Sequence, residues 1–348
     1  MKYLIIFFSL VMSFFSCETD TSSNKYETST TLNNIANNII LVGYQELTTN
    51  TTLLKESVEV LKDNLTEENL TNTQNNFLNA YKSWQKVSMF DFGPAVDEAL
   101  ATLNIYPTNV DNININISDG NYNLETASNQ SNIGFPAVDY LLFNDSKTNI
   151  LVKLADTNYI NYLVAVSDQI ATKSTTVNNN WKNNYKSTFI AATAIDAGSS
   201  ISILANAFIL DFEKNTREAK IGIPAGVRTL NEAIPNKVEA FYSGNSILLA
   251  KEQLSALKTV YEGASSENYK GILISLDKKK LADNISQHLV NIENSLNTLT
   301  DPFSDMLTSG NQPAISTYGE YQKLLPLLKV DMTAELSLLI TYSDGDGD

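Results

Sequence analysis

One cysteine, one histidine and two arginines are all that this chain of 348 residues contains of those types. Each scarcity excludes chemistry. A lone Cys17 cannot form an intramolecular disulfide, so an exported chain that keeps it uses it for something other than folding. A histidine-based zinc site usually needs two or three imidazoles, and HExxH is absent. Any Ser-His-Asp triad would have to use His288, which falls on the apolar face of its helix pattern. There is no glycine-rich phosphate loop and no run of alternating strand pattern. No segment after the N-terminus is apolar enough to span a bilayer, which takes about 20 residues. Basic residues are few: the net charge is −15 and the pI about 4.5. Nucleic acid is therefore excluded as a partner, because phosphate binding needs a basic stripe.

What is present begins with an export signal. Lys2 supplies the positive start, and Tyr3 to Phe15 form an apolar run of signal-peptide length, interrupted by Ser9 and Ser13. The run stops at Ser16-Cys17, the pattern of a lipobox. Residues 1–16 are expected to be removed, with Cys17 lipidated as the membrane anchor. Several acyl chains on one residue give stable anchoring where one would not. Residues 17–30 read as a flexible tether.

The rest of the chain is expected to be all-α. Leu32, Ile35, Ile39, Val42 and Leu47 recur at helical spacing, and Leu53 to Leu65 make a second amphipathic stretch. Thr71 with Gln74 suggests a capping box for a helix carrying Phe77, Ala80, Tyr81, Trp84 and Val87, broken at Phe92-Gly93-Pro94. Residues 104–132, rich in Asn, read as a long irregular loop. Helices follow from Pro136, over about 157–176 and over 190–218. A Gly/Pro-rich link, Ile221 to Gly226, precedes a helix capped by Ser246. Amphipathic helices then centre on Ile285 and run from about 313 to 340, with a kink at Pro326. This is too many helices for one bundle. Two bundles are expected, at 31–185 and 186–348.

Carboxylates are the remaining candidates for chemistry. Asp139 and Glu239 each stand among apolar neighbours, and a buried acid is costly without a partner. They are therefore expected to be paired or ligating. Arg228 is a candidate partner, because a planar guanidinium binds both carboxylate oxygens.

Several segments in order resemble the imelysin-like family: AYKSWQKVSMFDFGPA from Ala80 to Ala95, Asn104 to Pro107, Gly134 to Phe143, Lys220 to Pro224, Val238 to Ser246, Val260 to Gly263, and Ile340 to Asp348. The resemblance implies two helical-bundle domains with a cleft between them. It also implies a link to iron or haem acquisition, and a peptidase label. Trp84, Gly134, Pro136, Asp139, Arg228, Glu239, Ser243 and Ser246 are the candidate cleft residues. The family signature GxHxxE appears here as GFPAVD, with Pro136 in place of the histidine and Asp139 in place of the glutamate. Proline offers no lone pair to a metal. Asp139 and Glu239 remain as candidate ligands of a hard cation, since one carboxylate alone makes no zinc site. Terminal Asp344, Asp346 and Asp348 resemble the start of a calcium loop whose later ligands are missing. The expectation is a non-catalytic, envelope-anchored binding protein for iron, haem or a divalent cation, on the outer membrane. The alternatives are a metallopeptidase, and a surface subunit docking a TonB-dependent receptor through residues 104–132.

Overall fold

The computed structural model describes residues 25–342. The signal peptide, Cys17, most of the tether and the terminal Asp344, Asp346 and Asp348 lie outside the described residues. Among the described residues every regular element is helical, as the periodicity predicts.

The two N-terminal amphipathic stretches form one rod. It enters through Ser29–Asn34 and π-helical turns at Ile35–Ile40, and becomes α1 (Leu41–Asp63). The next helix, α2 (Glu67–Gln85), starts earlier than the capping box at Thr71 and Gln74 suggests. Thr66 is its cap, with the hydroxyl accepting the Asn69 N–H at 3.2 Å, and Glu67 and Glu68 fill the first turn. Two acids there suit the positive end of the helix dipole. Thr71 instead lies inside the helix and donates to the Glu67 carbonyl.

The expected loop at 104–132 is partly helical. Asn109 caps α3 (Val110–Asp119) by accepting the Asn112 N–H, and Gly120 closes it in the left-handed region at φ +62°. A 3-10 segment follows at Ala127–Asn132. Alternating Asn and Ile gave α3 no helical stripe, because only Ile113 of it is buried.

After α4 (Gly134–Phe143) comes α5 (Thr157–Asn180). It runs on through Trp181–Tyr185 and Lys186–Ala191 without a break. The boundary expected at 185/186 therefore falls inside a helical rod, and the first non-helical stretch is 192–199. Trp181 explains this. It is fully buried among Tyr44, Phe92 and Phe189, and that burial outweighs the weak helix propensity of the surrounding asparagines.

A second rod begins with α6 (Ser200–Leu210), continues as π-helical turns at Asp211–Gly222 and ends with Ile223–Ala225. The link expected at Ile221–Gly226 is thus its last turn, stopped by Gly226 at φ +81°. α7 (Ser246–Glu262), α8 (Lys279–Leu296) and α9 (Gln312–Pro326) complete this half. Beyond Pro326 the chain widens into π turns, and the helix ends at Glu335 rather than near 340.

In the first half α1 packs on α2 and α5, and α4 packs on α5. In the second, α8 packs on α7 and α9, and the π turns after α6 lie on α9. The halves meet where α2 packs on α7, and the apolar core is continuous through that seam. Among the described residues no helix is long and apolar enough to cross a membrane.

Candidate functional site

The seam between the halves holds a cleft of about 310 Å³. Its first wall comes from the end of α2 and the chain after it: Trp84, Gln85, Ser88, Asp91, Asn104 and Tyr106. The second comes from the π turns and α7: Asp211, Asn215, Ala219, Lys220 and Gln253.

The π turns are what aim so many charges inward. A π turn is wider than an α turn and recurs at functional sites. Here it spreads five buried polar residues over two faces. Asp211 and Lys220 line the cleft. Glu213 and Arg217 point away from it: Glu213 receives Lys329 at 2.9 Å and Tyr342 at 3.1 Å, and Arg217 pairs with Glu218 at 2.9 Å. Thr216 donates to Asp211.

Beneath the cleft lies a buried ion pair. Glu239, 1% exposed, is paired with Lys220, 4% exposed. Gln85 Nε2 donates to the same carboxylate at 3.0 Å and Asn104 Nδ2 at 2.8 Å, while Gln85 Oε1 accepts from Lys220 at 2.8 Å. A carboxylate removed from water is tolerable when a cation and extra donors satisfy it, and this one has both. The partner expected for it was Arg228. That residue is instead exposed and bonds Glu218 at 3.0 Å.

Asp139 is buried and accepts two backbone amides across the seam, Tyr242 N–H at 2.8 Å and Ser243 N–H at 3.1 Å. Burial outweighs these bonds and pushes its carboxyl up to about 6. Burial does the same to Asp211, also to about 6. Asp211 Oδ1 accepts Asn215 at 2.8 Å and Oδ2 accepts Gln253 at 2.7 Å. Burial, followed by the charges of Glu239 and Asp211, raises the Tyr106 phenol well above its ordinary value.

The other expected residues lie off the cleft walls. Gly134 sits at φ +72°, and a Cβ there would lie 2.1 Å from the Leu103 carbonyl oxygen. Pro136 is buried in the first turn of α4. The Ser246 hydroxyl donates to the Glu239 carbonyl rather than capping α7; the Ile247 and Leu248 amides at that end go to Asp301, at 2.9 and 3.0 Å. Of the candidates, Trp84 lines the cleft and Glu239 lies directly behind it. Gln85, Asn104, Tyr106, Asp211, Lys220 and Gln253 were missed. Lys220 heads a segment already noted, Lys220 to Pro224, but nothing local marks it as the partner of Glu239.

The donor set does not suit a metal. Asp139 is committed to amides and Glu239 to an ammonium and two side-chain amides, so the pair expected to ligate a cation does not converge on one. Among the described residues no group of three His, Cys, Asp or Glu could hold a metal ion. Haem iron takes His, Cys, Met or Tyr as axial ligands. His288 lies on α8, off the cleft walls. Met89 and Tyr106 do line the cleft, but Met89 is fully buried, and about 310 Å³ is too small for a porphyrin. The cleft does present two buried polar atoms without partners, Trp84 Nε1 and Gln253 Oε1, which suits a hydrogen-bonding organic ligand.

Comparison with known proteins agrees with this architecture. The family model described as Imelysin, which carries a peptidase label, matches residues 40–328. An imelysin-like protein from Psychrobacter arcticum superposes with a TM-score of 0.71 at 18% identity, over 90% of this chain and 97% of that one. A protein from Parabacteroides distasonis, named as an iron-regulated protein A precursor, superposes with a TM-score of 0.68 at 16% identity, over 91% and 97%. At such identities the likeness is one of fold. No curated protein matches.

Proposed function

The chain belongs to the imelysin family, and from that premise we propose that it is a non-catalytic, envelope-anchored binding protein serving iron or haem acquisition, with its ligand held in the cleft between the halves. The observation that carries this is the cleft itself. It is walled from both halves by ordered polar side chains, and two of their buried atoms still lack partners. Groups held this way are pre-organised for a ligand, which lowers the cost of binding. The iron-related part is supported by the Parabacteroides distasonis protein named as iron-regulated. Because the donor set does not suit a metal ion or haem directly, the iron-related role rests on the molecule the cleft holds and on a transport partner, not on a metal centre in this chain. Cys17 supplies the anchor.

Trp84 gives the test. Its indole borders the cleft, whereas the only other tryptophan, Trp181, is sealed in the core. Titration with ferric iron already enclosed in a cationic organic chelate is expected to change Trp84 emission, with the change lost in Trp84→Phe. Silence toward it, in fluorescence and in calorimetry, would sink the proposal. The anchor is tested separately: Cys17→Ser should move the protein out of the membrane fraction.

A further inference from the structure

We infer that the cleft recognises a small organic cation, a protonated amine that also carries a hydrogen-bond acceptor. This rests on the cleft being the ligand site and goes further by assigning the ligand's chemistry.

The charge balance comes first. Asp91 and Asp211 both line the cleft. The one ammonium among the lining residues, Lys220, is committed to Glu239 and Gln85. An anion would meet carboxylates with no free cation to receive it, and burying such a pair of like charges is costly. A cation is favoured, and the indole of Trp84 and the ring of Tyr106 supply walls that cations tolerate well.

Gln253 supplies the second, independent observation. It is fully buried, and its Nε2 donates to Asp211 at 2.7 Å and to Ser88 Oγ at 3.2 Å. Two acceptors on that side fix the orientation of the amide. Its Oε1 is therefore a committed acceptor, buried on the cleft wall with no donor. Asp211 also has capacity left on Oδ1, which carries two lone pairs and accepts Asn215. An ammonium offers three donors and no acceptor, so one nitrogen can serve both Gln253 Oε1 and Asp211.

Trp84 Nε1 fixes the other end. It is a donor only, buried and unpartnered, so the ligand must also bring an acceptor such as a hydroxyl. The volume, about 310 Å³, lies at the small end of ligand pockets.

The test uses the purified full-length protein and three probes of similar size: ethanolamine, ethylene glycol and glycolate, followed by calorimetry and Trp84 emission. Ethanolamine is expected to bind, and the glycol and glycolate to bind more than about tenfold more weakly, the usual loss with a charge-assisted hydrogen bond. Asp211→Asn and Gln253→Leu are each expected to weaken ethanolamine by a similar factor, with folding checked by circular dichroism, while Arg228→Ala leaves it unchanged. Glycolate binding as well as ethanolamine, or ethanolamine binding untouched in Asp211→Asn, overturns the assignment. If ethanolamine fails while the iron chelate still changes Trp84 emission, the amine assignment falls and the cleft survives. If Trp84 responds to nothing, both fall.

Discussion

Replacing Lys220 by Met should destabilise the protein severely, and the loss should be largely recovered by a second substitution, Glu239→Gln. Lys220 and Glu239 are 4% and 1% exposed, so water cannot replace a missing partner. In Lys220→Met the carboxylate keeps Gln85 and Asn104 as donors but loses its cation. Gln85 Oε1 also loses a donor. Breaking a buried pair from one side costs about 3–5 kcal/mol, a large share of the 5–15 kcal/mol that holds a typical domain together. Glu239→Gln in that background removes the uncompensated charge. Its Oε1 can still accept from Gln85 and Asn104, and its Nε2 can donate toward Gln85 Oε1. The coupling between the two sites in a double-mutant cycle should therefore exceed about 2 kcal/mol. Urea unfolding followed by far-ultraviolet circular dichroism would measure it. A Lys220→Met protein within about 1 kcal/mol of wild type, or a double variant no better than the single, would refute the view that this pair holds the seam.

Acid should stabilise this protein over part of the range. Asp139 and Asp211 are both pushed up to about 6 by burial, from an ordinary 3.8. The folded state therefore holds these protons more tightly than the unfolded one. Their contribution is fully present below about pH 4 and is lost as pH rises through about 6, worth at most about 3 kcal/mol per group. The urea midpoint should rise between pH 7.5 and 5, and less so in Asp211→Asn; equal slopes would contradict the assignment. At pH 7.5 Asp211→Asn should itself raise the midpoint, by about 1 kcal/mol or more, because it removes a buried charge while Gln253 can flip to accept from the new amide. Asp139→Ala should cost about 2 kcal/mol or more by stranding the Tyr242 and Ser243 amides, read from the same unfolding curves. Gly134→Ala should cost more than about 3 kcal/mol, since its Cβ collides with the Leu103 backbone. Arg228→Ala, at an exposed pair with Glu218, should stay within about 1 kcal/mol of wild type.

The amino-acid sequence by itself determined the all-α class, because apolar residues at helical spacing can be buried only on helices. It also marked Asp139 and Glu239, because an acid among apolar neighbours must find a partner. It placed Trp84 on a helix that reaches the cleft. It could not name those partners, which are long-range: Asp139 meets amides more than 100 residues away, and Glu239 meets Gln85 from 154 residues away. Nor could it show that Lys220, rather than Arg228, turns inward. That depends on the π turns at Asp211–Gly222, whose wider winding carries no periodic signature in sequence. The rod through 185 and the short helix inside 104–132 were hidden for a related reason. Asparagine-rich composition reads as irregular, but the burial of Trp181 and the capping by Asn109 favour helix at 181–191 and at Val110–Asp119. Only the tertiary structure brought the two halves together at a cleft with unpartnered polar atoms, because packing across the seam, not local pattern, decides which side chains lose water and which keep a place for a ligand.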